Sequence, residues 1–408
     1  MTEAVRLVSV ARLLAPFRSP GFCLMWTGQL IALVGIQGYL IAQSWLVLQH
    51  TGATTALGTL LALIAGPRAV LLPIGGMLSD RLHPRRVLIA SAVVFAALAG
   101  VLGQSLVLDS FELWHLMICA VLFGVMSALC LPALFAALPM HVDGPHLQSA
   151  NSLAQIAMQG SQFVGPALAG VAIEAMGIDQ SYGVLTLVFG LSALLIGFAP
   201  RPAAAAGAAA NRGSTPGGLG ECVALFRRER RLLGLALLTM LTNFGLGGPL
   251  QVALPALAHG SLRIGVDGLG LLLTMFGAGT LTGSLAAGGM SQRTNRMRIA
   301  LAAGMISGIS WAALATTSSL AITLVILIVT GACLGVLNVL FLTQVQSLTP
   351  GHLLGRVMGI QLVGSMGLQP ISFLLASWSI DHVGLAPVFL AGGTLVAVTC
   401  LALMPSWK

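Results

Sequence analysis

Gly75-Gly76-Met77-Leu78-Ser79-Asp80-Arg81-Leu82-His83-Pro84-Arg85-Arg86 is a short, highly charged turn wedged between two apolar runs, each long enough to span a bilayer. A spanning helix needs about 20 apolar residues to cross roughly 30 Å of hydrocarbon, so the turn marks a point where a membrane-crossing chain reverses. Gly288-Gly289-Met290-Ser291-Gln292-Arg293-Thr294-Asn295-Arg296-Met297-Arg298 does much the same further on. One basic turn per half implies an internally duplicated membrane protein.

Composition agrees with that reading. Of the 408 residues 57% are hydrophobic and 7% charged, whereas a soluble domain carries about 25% charged residues. Backbone groups in lipid are satisfied only in helices or closed barrels, and these long apolar runs lack the alternation of barrel strands. The expected fold is therefore all-α and integral to the membrane, with twelve spans. They fall near 22–48, 54–78, 87–107, 113–138, 151–175 and 181–199, then 233–257, 266–290, 299–317, 320–347, 355–378 and 385–404. Arg6, Arg12, Arg18, Pro16 and Pro20 near the start, without a small-residue cleavage pattern after them, read as a lead-in to the first span rather than a cleaved signal.

Basic residues set the orientation. With both termini cytoplasmic, the inner face collects all but two of the 19 Lys and Arg, leaving Arg263 outside and Arg68 within a span. The acids Asp109, Glu112, Glu174, Asp179, Asp267 and Asp381 then fall outside. The net charge of +8 is thus topogenic and faces lipid headgroups, which makes nucleic acid an improbable partner. Arginines far outnumber lysines beside abundant Ala and Gly, as in a GC-rich bacterial source, so the expected location is a bacterial inner membrane.

The six cysteines are scattered, with no paired spacing for metal or redox chemistry. A phosphate-binding loop and a metal-ligating histidine cluster are both missing from the sequence. No cofactor or direct ATP drive is implied, and an ion gradient is the default energy source. Residues 200–220 are rich in Ala, Gly and Pro, and 221–231 have one apolar and one strongly basic side, as in a helix lying on an anionic inner leaflet. The expected division is a first six-helix bundle at 1–199, a linker at 200–231 and a second bundle at 232–408. Four ordered anchors pair the halves at nearly one offset: Gly76 with Gly288, Pro139 with Pro350, Pro166 with Pro370, and Gly177 with Gly384. Such parallel repeats hold a substrate between two bundles near mid-membrane.

The turn between the second and third spans resembles the signature loop of the major facilitator superfamily, with Gly76, Leu78, Asp80, Arg81, Arg85 and Arg86 at the matching positions. Trp45-Leu46-Val47-Leu48 before Thr51-Gly52, Ala150-Asn151-Ser152-Leu153, Gly165-Pro166-Ala167-Leu168-Ala169-Gly170 and Gly355-Arg356-Val357-Met358 are similar to the drug, macrolide and siderophore exporters of that superfamily. The resemblance covers nearly the whole chain. It implies a transporter, not an enzyme, that exports small molecules by antiport against protons.

Physical chemistry assigns candidate roles to these groups. Asp80 stands where its carboxylate can meet the positive N-terminus of the eleventh span near Gly355-Arg356, closing the inner face. Gln292 occupies the equivalent place in the second half, so the mirror contact lacks a full charge. Gly160, Gly165, Pro166 and Gly170 resemble the exporters' antiporter motif and provide a close-packing, bendable face. Arg68, after Gly66-Pro67, has three open readings: anchor for an acidic substrate group, holder of a buried water network, or bond to carbonyls freed by Pro67 that stabilises the fold.

Relatives often carry a carboxylate just after the glycine matching Gly35, but this chain has Ile36 there, followed by Gln37. His115 and Glu174, the nearest titratable residues, sit at span ends. Proton coupling thus comes from the resemblance alone. Gln37, Gln162, Asn243, Gln251 and Asn338, with Gln43, Gln159 and Gln344, are candidates for a mainly neutral cavity. Amides among Met, Phe and Leu suit a lipophilic or amphipathic compound. Export of such compounds is the leading reading; uptake of an anionic nutrient through Arg68 and a non-transporting receptor or scaffold are the alternatives.

Overall fold

The computed structural model describes residues 15–81, 83–137, 141–142, 146–200, 219–288, 290, 295–350 and 353–407. The first half forms α1 (Pro20–Thr51), α2 (Thr54–Arg81), α3 (Pro84–Val107), α4 (Leu113–Ala137), α5 (Leu147–Met176) and α6 (Ile178–Phe198). A short α7 (Leu219–Arg228) precedes α8 (Arg230–Thr242), α9 (Gly248–Ala256), α10 (Val266–Gly288) and α11 (Arg296–Ala313). The chain ends with α12 (Leu320–Leu348), α13 (Leu354–Gly367), α14 (Gln369–Val383) and α15 (Leu385–Leu403). Twelve helical stretches among the described residues are long and apolar enough to cross a membrane, with α8–α9 and α13–α14 each counting as one. The fold is an all-α, multi-pass membrane architecture.

Two ends run past the polarity boundary in the sequence. The eleventh stretch continues to Val383, because the chain leaves the helix only at Gly384, whose φ of 103° is open to glycine alone. Asp381 therefore sits in the last helical turn and not in a loop. Gly177 has φ 86° and ψ 162° and lets α6 restart at Ile178 with one residue between helices.

The repeated prolines behave differently. α5 runs unbroken through Pro166. Its counterpart breaks at Leu368, and Pro370 lies in the first turn of α14, where its missing N–H costs nothing. The bend expected at Pro166 is thus found as a break in the eleventh span.

The contacts sort the chain into two compact units. One comprises Met1–Gln43 and Val70–Ser214; the other comprises Ser44–Ala69 and Thr215–Lys408. Residues 44–69 group with the second half, unlike the division expected from the repeat. The first unit is filled by aromatic rings. Tyr39 stacks on Phe123 at 4.8 Å, and Phe95 meets Phe123 at 4.7 Å and Phe189 at 5.4 Å. The second uses small residues: Gly279 and Gly283 of α10 face the backbone of α12, while Gly331 and Gly335 of α12 face the backbone of α10. Facing small-xxx-small pairs bring two helix backbones together without large side chains.

The seventh span (Arg230–Ser261) contains two π-helical turns, Asn243–Gly247 and Leu257–Ser261. In the first, the Gly248 N–H bonds the Asn243 carbonyl, and the next residue that could serve Phe244 is Pro249, which has no N–H. Ser372 of α14 fills the gap by donating its hydroxyl to the Phe244 carbonyl at 2.6 Å. Ser372→Ala leaves that buried carbonyl unsatisfied and should cost about 1–3 kcal/mol. A drop in the thermal unfolding midpoint of the solubilised protein is the expected result; an unchanged midpoint would refute this account of the π turn.

Candidate functional site

The side chains of residues 72–82 and 354–356 lie outside the described residues, and with them Gly76, Asp80, Arg81, Gly355 and Arg356. Arg85 is well placed in the first unit. Its guanidinium donates to the Ile196 carbonyl at 3.1 Å and to the Gly197 carbonyl, tying the start of α3 to the last turn of α6. A cation there complements the negative end of a helix. Arg86 beside it is exposed.

On α5, Gly165 has the tight contact. A Cβ there would lie 2.5 Å from Gln37 Cβ and 3.2 Å from the Val34 carbonyl, both on α1. Gly165, expected to pack closely, and Gln37, expected to line a cavity, thus meet in the first unit. Pro166 and Gly170 of the same helix are also buried. Gly160 differs, with no atom within 4 Å of a Cβ placed on it. The close-packing face of α5 is therefore narrower than its glycine spacing implies.

The amide candidates spread over both units. In the first, Gln37 is half-buried and Gln162 is exposed, with its Nε2 3.5 Å from Gln159 Oε1. In the second, Gln251 and Asn338 are exposed, and half-buried Asn243 opens the π turn while donating to the Thr239 carbonyl at 2.9 Å. Arg68 is half-buried on the 44–69 stretch and engaged with its surroundings. No described pocket gathers these residues.

Ile36 lines a different cavity, between α1, α3, α4 and α6. About 20 Å³ there is open to the centre of a water molecule, room for one. Gln29 and Ser91 line it, each nearly fully buried, and neither the Gln29 amide nor the Ser91 hydroxyl has a partner among the described residues. A lone buried amide in a long apolar helix carries no periodic signal, which is why the sequence did not single out Gln29. The cavity has no carboxylate lining it.

A carboxylate does organise the second unit. Asp381 in the last turn of α14 accepts from the Thr54 N–H on Oδ1 at 3.0 Å and from the Thr55 N–H on Oδ2 at 2.6 Å. These are first-turn donors of α2, which have no acceptor within their own helix. One turn further along, a Cβ on Gly58 would strike Ser377 and come within 2.7 Å of the Phe373 carbonyl, so α2 and α14 cross at close quarters in antiparallel register. From sequence, Asp381 was only one of the outside acids. Its partner became visible once the register was known.

The Major Facilitator Superfamily model matches residues 25–371. The chain belongs to this family. Macrolide efflux protein A of Streptococcus pyogenes is 24% identical over 391 residues, covering 94% of this chain and 94% of that protein. The multidrug efflux pump Tap of Mycolicibacterium fortuitum is 27% identical over 362 residues, covering 86% and 87%. Among solved structures, a nucleoside transporter, NupG, aligns with a TM-score of 0.72 at 13% identity, covering 95% of this chain and 100% of that one. A D-xylose-proton symporter aligns with a TM-score of 0.71 at 15% identity over 94% and 96%. These structures share the fold; the protein is a transporter of this superfamily and not an enzyme.

For a superfamily transporter, the α1–α5 contact gives a sharper mutational contrast than the glycine pattern alone. At Gly177, where the end of α5 at the outer face would suggest room for bulk, a leucine is strained whatever the space, because φ there is 86°. Gly165→Leu should abolish transport by driving α5 off Gln37, because added bulk in a packed interior costs about 1–3 kcal/mol or more. Gly160→Leu, on the same helix, should retain most of it. Comparable transport by both variants at equal membrane abundance would refute the contact's role.

Proposed function

We propose that this transporter exports lipophilic or amphipathic small molecules across a bacterial inner membrane by alternating access, drawing on the proton gradient. The observation that carries this reading is the near full-length likeness to macrolide efflux protein A and to Tap. Neutral half-buried amides on strongly apolar helices, Gln37 in the first unit and Asn243 in the second, support it, since side chains of this kind meet such compounds by burial with few directed contacts. In this reading 1–199 and 232–408 are the two moving bundles, joined by 200–231. Both termini face the cytoplasm, where the basic residues collect, and α7 lies on the anionic inner leaflet.

Asp80, flanked by Arg81, would fasten the inner face through the start of the eleventh span near Gly355 and Arg356. Arg85 would keep α3 and α6 moving as one piece. All 11 carboxylates of the sequence lie at span ends or in connections. Coupling would therefore run through a carboxylate at a membrane face, because the place after Gly35 holds Ile36.

A susceptibility panel on a deletion strain tests the direction of transport. Loss of the gene should sensitise the cell to lipophilic compounds, plasmid-borne protein should restore resistance, and an uncoupler should erase the difference. Unchanged susceptibility together with poor growth on an anionic nutrient would instead favour uptake.

A further inference from the structure

We propose that Asp381 is the outer-face latch of the transport cycle. Its carboxylate on the first turn of α2 holds residues 44–69 against α14 and so favours the conformer closed to the outside. This rests on the alternating-access reading and on the orientation given above, in which the 52–53 turn and Gly384 face outward.

Three observations carry it. The contact is bidentate, with one carboxylate oxygen on each of two free amides, and it adds a full negative charge to the positive end of α2. Helix packing supports it one turn below, where Gly58 lets Ser377 and the Phe373 carbonyl approach the α2 backbone. The same 44–69 stretch makes a second attachment, Trp45 packing edge-on against His259 of the outer π turn at 5.6 Å between ring centroids. Asp381 is nevertheless exposed, so water competes for its oxygens and the latch can open.

The device is one-sided. Glu174 occupies the equivalent position before Gly177, and it is exposed. The first turn of α10, the helix that corresponds to α2, already contains Asp267, whose charge sits at that positive end and repels a second carboxylate. The asymmetry also mirrors the inner face, where Asp80 is matched by Gln292. The second and eleventh spans thus each bear a carboxylate at the C-terminal end and a first turn ready to receive one. The outer contact closes the outside, and the Asp80 contact expected from the sequence would close the inside, so that making one favours breaking the other.

Hydrogen exchange on the full-length chain in lipid nanodiscs, run beside dye efflux, tests the latch. Asp381→Asn keeps shape and removes charge; Thr54→Pro removes one donor at a first-turn position that accepts proline. Both should speed exchange about three- to tenfold at residues 108–112 and 317–319 of the outer connections, the range expected for loss of a helix cap, and should slow it at the inner segments 82–86 and 353–358. Glu174→Gln should change neither. Faster exchange confined to 52–60 in both variants would mean a local cap and overturn the latch, even with efflux intact. Reciprocal changes in a chain that exports nothing would overturn the export reading and leave the latch standing. If Asp381→Asn is lost from the membrane, the Thr54→Pro pattern decides between the same outcomes.

Discussion

Inside a bilayer every backbone N–H and C=O must find a partner within the protein, because hydrocarbon offers none. The structure can be read as the places where that condition is met with effort. Most of the chain meets it by simple continuity, in helices long enough to cross. Where the sequence withholds a donor, another element supplies one. Pro249 deprives the Phe244 carbonyl, and Ser372 of α14 serves it. At the end of α14, where Asp381 is exposed and water is the competing partner, Thr54 and Thr55 have amides without helical acceptors, and Asp381 accepts from both. The eleventh span, itself broken at Leu368, thus repairs defects in the seventh span and at the start of α2.

These repairs are also the joints a transporter needs. A helix satisfied wholly within itself can only move as a rod, whereas one that borrows a partner can be released by losing it. The two units show contrasting construction on this point. The first is filled by Tyr39, Phe95, Phe123 and Phe189, with Arg85 fastening α3 to α6. The second has glycine-lined contacts, two π turns and a broken span, and π turns recur at functional sites.

Hydropathy and charge made the twelve spans legible from the residues, because both respond to the bilayer locally. Span ends were less so: polar Asp381 and His382 marked an end at 378, while the helix continued until Gly384 supplied the left-handed turn. The glycines of α5 read as one face, yet Gly165 has a close neighbour and Gly160 has none within 4 Å, since spacing on one helix says nothing about the curvature of another. Neither π turn could be read, because prolines at 249 and 255 announce a disturbance without saying how the carbonyls are re-paired. Asp381 was hidden for a related reason. Its role depends on an antiparallel register between helices more than 300 residues apart in sequence.

Inverted membrane vesicles report whether the protein moves lipophilic compounds outward at the expense of a proton gradient, as proposed. With the interior acidified by respiration, vesicles containing the protein should accumulate a lipophilic fluorescent substrate, and an uncoupler should release it at once. Vesicles that accumulate nothing beyond a protein-free control, while right-side-out vesicles take up the same compound, would contradict the account.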